Sequence, residues 1–552
     1  MWLFIPSLLM SIGLYLFVFN ENPRSILPRR SVVSFLFIVN VIYIIWRLYS
    51  TVQYESSIGS LWMILFLISE TILNISTLFM IVAFWRYRNR SNEASFHHKI
   101  IDYPVDIIIP TYKEGREILE RTIKSAIKID WKNVNIYICD DTSREWVRDL
   151  CAQYGVHHIT RTQHQHAKAG NVNNCLLHHS QSDFIAVFDA DFYIYPEFIK
   201  RTLPLLLHKN SNGLVQTPQH YGNPDPIQRN LFGENSWVDE QRFFFDVHAG
   251  VRDAWDQMFC CGTGWIARRS ALNDIGLIPT ESVTEDILTS YTMKQYGWNT
   301  IYLNECLANG LSAESINEYI GQRSRWALGC LQCLYSDRGP IKSKRMNIID
   351  RLWFLDACIY WMTFLHIPLM FLAPIVYYYF GLPVIQCDPY EIAIFLLPKI
   401  ALTTIGIWWL SERKVIPFIS DIQKLVTSVM MIPHVLSGLF NIKGQIFRVT
   451  AKGLSRKTWS IQWFSMIPFI TTITLTCLSI LTNFEYGSDV IYSDNGIVSL
   501  LLSFWNIIVC LFCCFACIDK PVDKNPILEA EIQPLHGSIK ESLKILFKNI
   551  AN

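Results

Sequence analysis

Apolar residues follow two rhythms along this chain. Before residue 100 and after residue 350 they form long runs, at 2–19, 31–48 and 61–85, then at 352–380, 392–410, 461–481 and 497–518. Each run is near or above the ~18–20 residues that a helix needs to cross a bilayer. Between about 101 and 339 the runs are short and alternate with helical spacing, which predicts an α/β domain. A strand at 105–109 ends at Pro110, and a helix follows over 116–127. The next strand, 135–139, ends in Asp140-Asp141, and the next helix covers 143–154 with Ser143 as its N-cap. Ile159-Thr160, a polar loop and a helix from Ala169 lead to the apolar strand 183–187, which runs into Asp189. The stretch 425–440 is apolar but interrupted by Pro433 and flanked by Lys424 and Lys443, so it reads as an interfacial helix rather than a further span.

Composition changes the picture in one respect. Hydrophobic residues are 51% and charged residues 17% of the 552, below the ~25% charge of soluble proteins, so a membrane protein with a soluble part is expected. Net charge is +1, which gives no reason to expect nucleic acid. Segments 24–30, 86–90 and 443–457 are basic, whereas 50–60, 382–391 and 483–495 hold no Lys or Arg. The positive-inside rule then places the α/β block in the cytoplasm. Arg47 is the exception, and it either snorkels or lines a polar path with Tyr43 and Trp46; those aromatics would equally suit an interfacial belt. No basic region follows Met1, so the first span reads as an anchor rather than a cleaved signal. Many of the fifteen cysteines fall in spans or in the cytoplasmic block, which argues against a disulfide framework. Cys330-Leu331-Gln332-Cys333 has no second pair to complete a zinc site.

Candidate chemistry centres on Asp189-Ala190-Asp191. Two carboxylates one residue apart at a buried strand's end repel, but they suit Mg2+ or Mn2+ shared with a substrate diphosphate. Two other strands end in Thr111-Tyr112-Lys113-Glu114 and Asp140-Asp141, groups able to stack on and hydrogen-bond a nucleobase. The loop 164–171 adds Lys168 and a helix N-terminus, both suited to phosphate. Four histidines in 156–166 fit no single zinc spacing. Phe259-Cys260-Cys261-Gly262-Thr263-Gly264 is a tight turn of small residues, and Thr284-Glu285-Asp286 offers a general base or simply an acidic helix start. Gln322-Arg323-Ser324-Arg325-Trp326 offers cations for a diphosphate and an indole for a sugar, or merely a basic juxtamembrane helix.

Taken together, Asp140-Asp141, Asp189-Ala190-Asp191, Thr284-Glu285-Asp286 and Gln322-Arg323-Ser324-Arg325-Trp326 have the order of the processive family 2 glycosyltransferases. Residues 166–171, 216–220, 223–230, 259–262 and 447–453 resemble bacterial cellulose synthase catalytic subunits, and the likeness runs from roughly 40 to 460. The resemblance implies an α/β, GT-A-type cytoplasmic glycosyltransferase domain (99–345) inserted between N-terminal (1–98) and C-terminal (346–520) transmembrane helices, with a tail at 521–552. It further implies a processive inverting enzyme of the inner membrane that polymerises UDP-glucose into β-1,4-glucan, translocates the chain and uses Mg2+ or Mn2+. An export partner subunit would fit this reading.

By motif, Asp286 would be the base, and Asp189 and Asp191 the metal ligands. Thr111, Tyr112, Glu114, Asp140, Lys168, Gln322 and Arg325 would hold the donor. Trp326, Cys261 and Glu285 would face the acceptor, and Phe447, Val449, Thr450 and Lys452 would form a gating loop. Thr142 replaces the family's usual Gly, and the tail is too short for a PilZ domain, so direct control by cyclic-di-GMP is not expected. Alternatives are a mixed-linkage or 1,3-β-glucan, a hyaluronan- or chitin-type polymer, and an inactive channel or scaffold subunit.

Overall fold

Two apolar helices, α1 (Ile26–Ser50) and α2 (Ser57–Ala83), precede the α/β unit. The computed structural model describes residues 12–13, 22–51, 57–94, 103–441, 456–485 and 493–522. The gating-loop positions Phe447, Val449, Thr450 and Lys452 and nearly all of the expected span 2–19 lie outside the described residues.

The unit is built on a seven-stranded sheet: β1 (Val105–Thr111), β2 (Val134–Asp140), β3 (His157–Ile159), β4 (Phe184–Val187), β5 (Asn212–Gln216), β6 (Trp265–Arg268) and β7 (Asn299–Tyr302). Its order is β3-β2-β1-β4-β6-β5-β7. Among these strands only β6 runs antiparallel to its neighbours β4 and β5. Every residue of β1 is buried, as its unbroken apolar run requires when helices cover both faces. Helices α3 (Arg116–Ile127), α4 (Glu145–Tyr154) and α5 (Ala167–His178) connect the parallel strands.

One expectation is corrected here. Ser143 does not cap α4; it adopts φ 52°, and Arg144 is the N-cap residue. The Asp140 carboxylate supplies the cap instead, accepting from the Arg144 N–H at 2.6 Å. An ionised carboxylate is the stronger acceptor and draws the helix start one residue on.

After α6 (Glu285–Gln295) and α7 (Ile316–Gln332) come α8 (Ile348–Met362), α9 (His366–Phe380), α10 (Leu397–Leu410), α11 (Ile419–Leu439), α12 (Trp463–Glu485) and α13 (Asp494–Ala516). Among the described residues seven helices are long and apolar enough to cross a membrane. Six match runs in the hydropathy pattern. The seventh is α11, which contains Pro433 rather than ending there. Proline removes one backbone donor, and packing carries the helix past it, with Gly438 seated so closely that a Cβ there would lie 2.7 Å from Leu331 Cβ of α7. All fifteen cysteines are free thiols.

A buried carboxylate ties the sheet to its connections. Asp106 accepts from the hydroxyls of Ser180 and Ser182, the N–H groups of Gln181 and Ser182, and the Asn135 amide, all within 2.9 Å. Asp106→Ala is expected to leave these donors unsatisfied and to cost about 3 kcal/mol or more. A lower melting temperature of the detergent-solubilised protein would report it, with Asp106→Asn less affected.

Candidate active site

The strand directions decide where the chemistry collects. Thr111 pairs with Asp140, so the carboxyl ends of β1 and β2 lie level. β4 ends at Val187, directly opposite Trp265, where the antiparallel β6 begins. That reversal brings the turn 259–264 to the same edge as Asp189. Gln216, the last residue of β5, also faces Trp265 there.

Backbone hydrogen bonds hold the acidic turn. The Asp189 N–H donates to Thr263 Oγ1 (2.8 Å), Thr122 Oγ1 to the Ala190 carbonyl (2.7 Å) and the Arg121 guanidinium to the Asp191 carbonyl (2.9 Å). The facing turn is pinned equally well. Gln216 accepts from the Cys261 N–H (2.8 Å) and donates to the Thr263 carbonyl (2.7 Å), while Gln219 donates to the Cys261 carbonyl. Ser290 of α6 accepts from the Cys260 N–H at 2.7 Å. Cys261 thus contributes its backbone to the site's frame, and Gln216, Gln219 and Thr263 are supporting residues for which the sequence reading assigned no role.

Five of the six residues of 166–171 have a geometric reason. His166 and Ala167 take positive φ (62° and 41°) to open α5. Lys168 Nζ donates to Asp189 Oδ1 (2.5 Å) and to the Gly262 carbonyl (2.7 Å). A Cβ at Gly170 would lie 2.2 Å from the Gln165 carbonyl oxygen, and Asn171 donates to the Cys139 carbonyl (2.7 Å). The histidines turn to other work. His164 lies 3.1 Å from Asp141, which also receives both arms of Arg161, and His158 lies 3.6 Å from Asp140.

Asp286 comes to the same point from α6. A Cβ at Gly262, whose φ is 93°, would stand 3.2 Å from Asp286 Oδ2 and 3.7 Å from Lys168 Nζ. Burial pushes the carboxyls of Glu285 and Asp286 above the usual range, helped by the Asp286 charge at Glu285 and by the Asp189 charge at Asp286. Burial would lower the Lys168 ammonium, but Asp189, Glu285 and Asp286 outweigh it and hold its pKa raised. The site therefore gathers Asp189, Glu285 and Asp286 about a single lysine, with Asp191 on the same turn. That surplus of negative charge fits a hard divalent cation. Among the described residues no cluster of three or more His, Cys, Asp or Glu is arranged to hold a metal.

Beside this point a cleft of about 680 Å3 is lined by Tyr112, Lys113, Glu114, Gly115, Arg116, Thr142, Arg144 and Trp146. Glu114 shapes its rim by accepting from the Thr111 hydroxyl and the Tyr112 N–H, each at 2.7 Å. Asp140 is fully buried below it. Burial would raise its carboxyl, but the nearby His158 and donation from Arg144 and Thr142 pull it down to about 2. In this arrangement Asp140 orders the floor of the cleft, and Tyr112 and Arg144 are the groups that reach its space.

Helix α7 carries Gln322, Arg325 and Trp326, all partly buried. Burial lowers the Arg325 guanidinium, offset in part by the charges of Glu318 and Asp189. The helix lies close against the start of α6: a Cβ at Gly329 would meet the Thr284 side chain at 2.6 Å and its backbone nitrogen at 2.8 Å, and the Ser282 hydroxyl donates to the Gly329 carbonyl (2.8 Å). In the membrane part, Tyr43, Trp46 and Arg47 are buried among helices rather than arrayed at an interface. Arg47 pairs with Glu70 (2.9 Å) and donates to the Val384 carbonyl (2.8 Å), Tyr43 donates to Glu70, and Trp46 stacks on Phe395. Arg47 does not snorkel.

Comparison with known proteins agrees with this geometry. The model of glycosyl transferase family 2 matches residues 106–276, and the cellulose synthase model matches 273–416. The chain thus carries a family 2 glycosyltransferase domain between apolar helices, followed by a cellulose synthase region. Its curated relatives include cellulose synthases. It is 32% identical over 431 residues to the cellulose synthase 1 catalytic subunit (UDP-forming) of Komagataeibacter xylinus, covering 75% of this chain and 56% of that protein. It is 30% identical over 378 residues to the cellulose synthase catalytic subunit (UDP-forming) of Pseudomonas fluorescens (strain SBW25), covering 68% and 51%. Against cellulose synthase 2 of Novacetimonas hansenii it is 31% identical over 448 residues, covering 80% and 28%. The chain thus spans about half the length of the two catalytic subunits and under a third of the last.

Gly262→Ala tests the close approach at the centre. Alanine at positive φ costs about 1–2 kcal/mol, and its methyl would press on Asp286. The expected result is a melting temperature lowered by a few degrees, about 2–4 °C per kcal/mol for a domain of this size, while a control Gly321→Ala, which meets nothing within 4 Å, leaves it unchanged.

Proposed function

We propose that this protein is a processive inverting glycosyltransferase that polymerises glucose from UDP-glucose into β-1,4-glucan and passes the chain through its membrane helices. The catalytic unit faces the cytoplasm in this reading. The observation that carries it is the meeting of Lys168, Asp189 and Asp286 at the Gly262 turn, under a helix bearing Gln322, Arg325 and Trp326.

The reaction asks four things of these residues. The donor's base lies in the cleft of Tyr112 and Arg144, with Thr111, Glu114 and Asp140 fixing its walls. Asp189 and Asp191 would hold a divalent cation, Mg2+ or Mn2+, which when bound neutralises charge on the departing diphosphate. Lys168, Gln322 and Arg325 supply donors to the same oxygens. Asp286 takes the proton from the acceptor hydroxyl as that oxygen attacks the anomeric carbon from the face opposite UDP, which inverts α to β. Its raised pKa suits the work, because a more basic carboxylate is the better acceptor of that proton. Trp326 offers a flat face to the sugar ring, with Cys261 and Glu285 on the acceptor side. The gating residues Thr450 and Lys452 would close over the nucleotide in this scheme.

The decisive experiment incubates membrane vesicles with radiolabelled UDP-glucose and Mg2+ and digests the product with linkage-specific glucanases. Release by a 1,4-β-glucanase alone supports the proposal. Release by lichenase or a 1,3-β-glucanase changes the product and keeps the machinery. Polymer from UDP-N-acetylglucosamine only would overturn the donor assignment, and no polymer from either would favour a scaffold.

Asp286→Asn is expected to lower turnover by at least about 10²–10⁴-fold while UDP binding persists. For pH the sign is set by the base. Asp286 must be unprotonated to act and its pKa is raised, so kcat/KM should climb with pH along an acidic limb above the ordinary carboxylate range. A limb near pH 4 would contradict the assignment.

A further inference from the structure

One buried charge near the site has no part in the scheme above. Arg323 lies on α7 between Gln322 and the Arg325-Trp326 pair, and it is 5% exposed. Its Nε donates to Glu240 Oε1 at 2.5 Å. Glu240 opens a short helix, Glu240–Phe243, whose N-cap Asp239 accepts from the Gln241 N–H at 3.0 Å. The flat guanidinium lies over the Tyr319 ring, with Cζ 3.2 Å from its centroid, and faces the Trp326 ring at 5.5 Å. It also approaches the Gln322 side-chain oxygen at 3.4 Å. Thus one group touches residues one turn back, next door and one turn ahead on α7, and two of them are those expected to meet substrate.

We propose that Glu240 and Arg323 are positioning residues that set the Trp326 indole for the acceptor sugar. The inference rests on the acceptor role given to Trp326 above. A desolvated cation beside an aromatic face is attracted to it, and the guanidinium's plane fixes the orientation of the ring it faces. Glu240 fixes the plane in turn. Lysine cannot replace arginine here, since a point charge on a flexible stem keeps the positive charge and loses both the plane and the fork to Glu240. Without Glu240 the guanidinium would be a buried cation short of its partner and would turn toward other acceptors.

The test uses the full chain in vesicles and divides donor turnover into two products, polymer and free glucose from hydrolysis. A group that orients the acceptor site alters this division; one that merely supports the fold lowers both products together. Arg323→Lys and Glu240→Gln are expected to keep the KM for UDP-glucose within about twofold while the polymer-to-glucose ratio falls about tenfold, the equivalent of one cation–π contact. Glu240→Asp, which keeps the charge, should recover most of the ratio. An unchanged ratio in both variants overturns the inference, as does a parallel loss of polymer, hydrolysis and UDP affinity. Wild-type vesicles that make no polymer but still hydrolyse UDP-glucose would instead overturn the proposed function, and the acceptor argument with it.

Discussion

The Lys168 ammonium is the interaction on which the site depends. It joins the α5 N-terminus, the acidic turn after β4 and the Gly262 carbonyl in a single clasp. Remove its charge, and Asp189, Glu285 and Asp286 face one another in a partly buried space with nothing to balance them. Their repulsion would be felt along β4, α6 and the turn before β6 at once. A bound diphosphate would compete for this lysine, and a divalent cation would then take over the carboxylates. The clasp therefore keeps an empty site assembled, and its ligands can be exchanged one for another.

Around the clasp the protein spends polar side chains on backbone rather than on substrate. Gln216, Gln219, Thr263, Thr122 and Arg121 all bond to main-chain groups of the two facing turns. This leaves the acidic side chains to be aimed by a rigid frame. The same logic appears at the cleft, where the buried Asp140 holds the start of α4 while Tyr112 and Arg144 reach the open space.

Much of this was readable in the letters, for physical reasons. Short apolar runs ended by Pro110 or by acidic residues marked β1, β2 and β4. The convergence of Lys168, Asp189 and Asp286 was expected from motif order. What was not readable depends on distance or direction. Nothing local says that β6 runs against its neighbours, yet that reversal delivers Gly262 to Asp189. Glu240 and Arg323 lie far apart in sequence and carry no motif as a pair. Ser143 had the right chemistry for a cap and lost to a stronger acceptor three residues earlier. Pro433 signalled an interruption that packing against α7 overrode.

Two glycines have a consequence for how such a protein can change over generations. Gly329 brings α7 against the backbone of the turn that carries Asp286, and Gly438 brings α11 against α7. At each contact the glycine itself offers no side chain and the facing residue is already close, Thr284 at one and Leu331 at the other, so an added methyl group would need those residues to shift. Three segments scattered through the sequence, one bearing Asp286, one bearing Trp326 and one of them an apolar helix of the membrane part, are thereby a single unit of variation. A lineage could remodel that apolar helix only along routes that keep the catalytic turn where it is. Drift in the lipid-facing half of the molecule is in this sense governed from its active site.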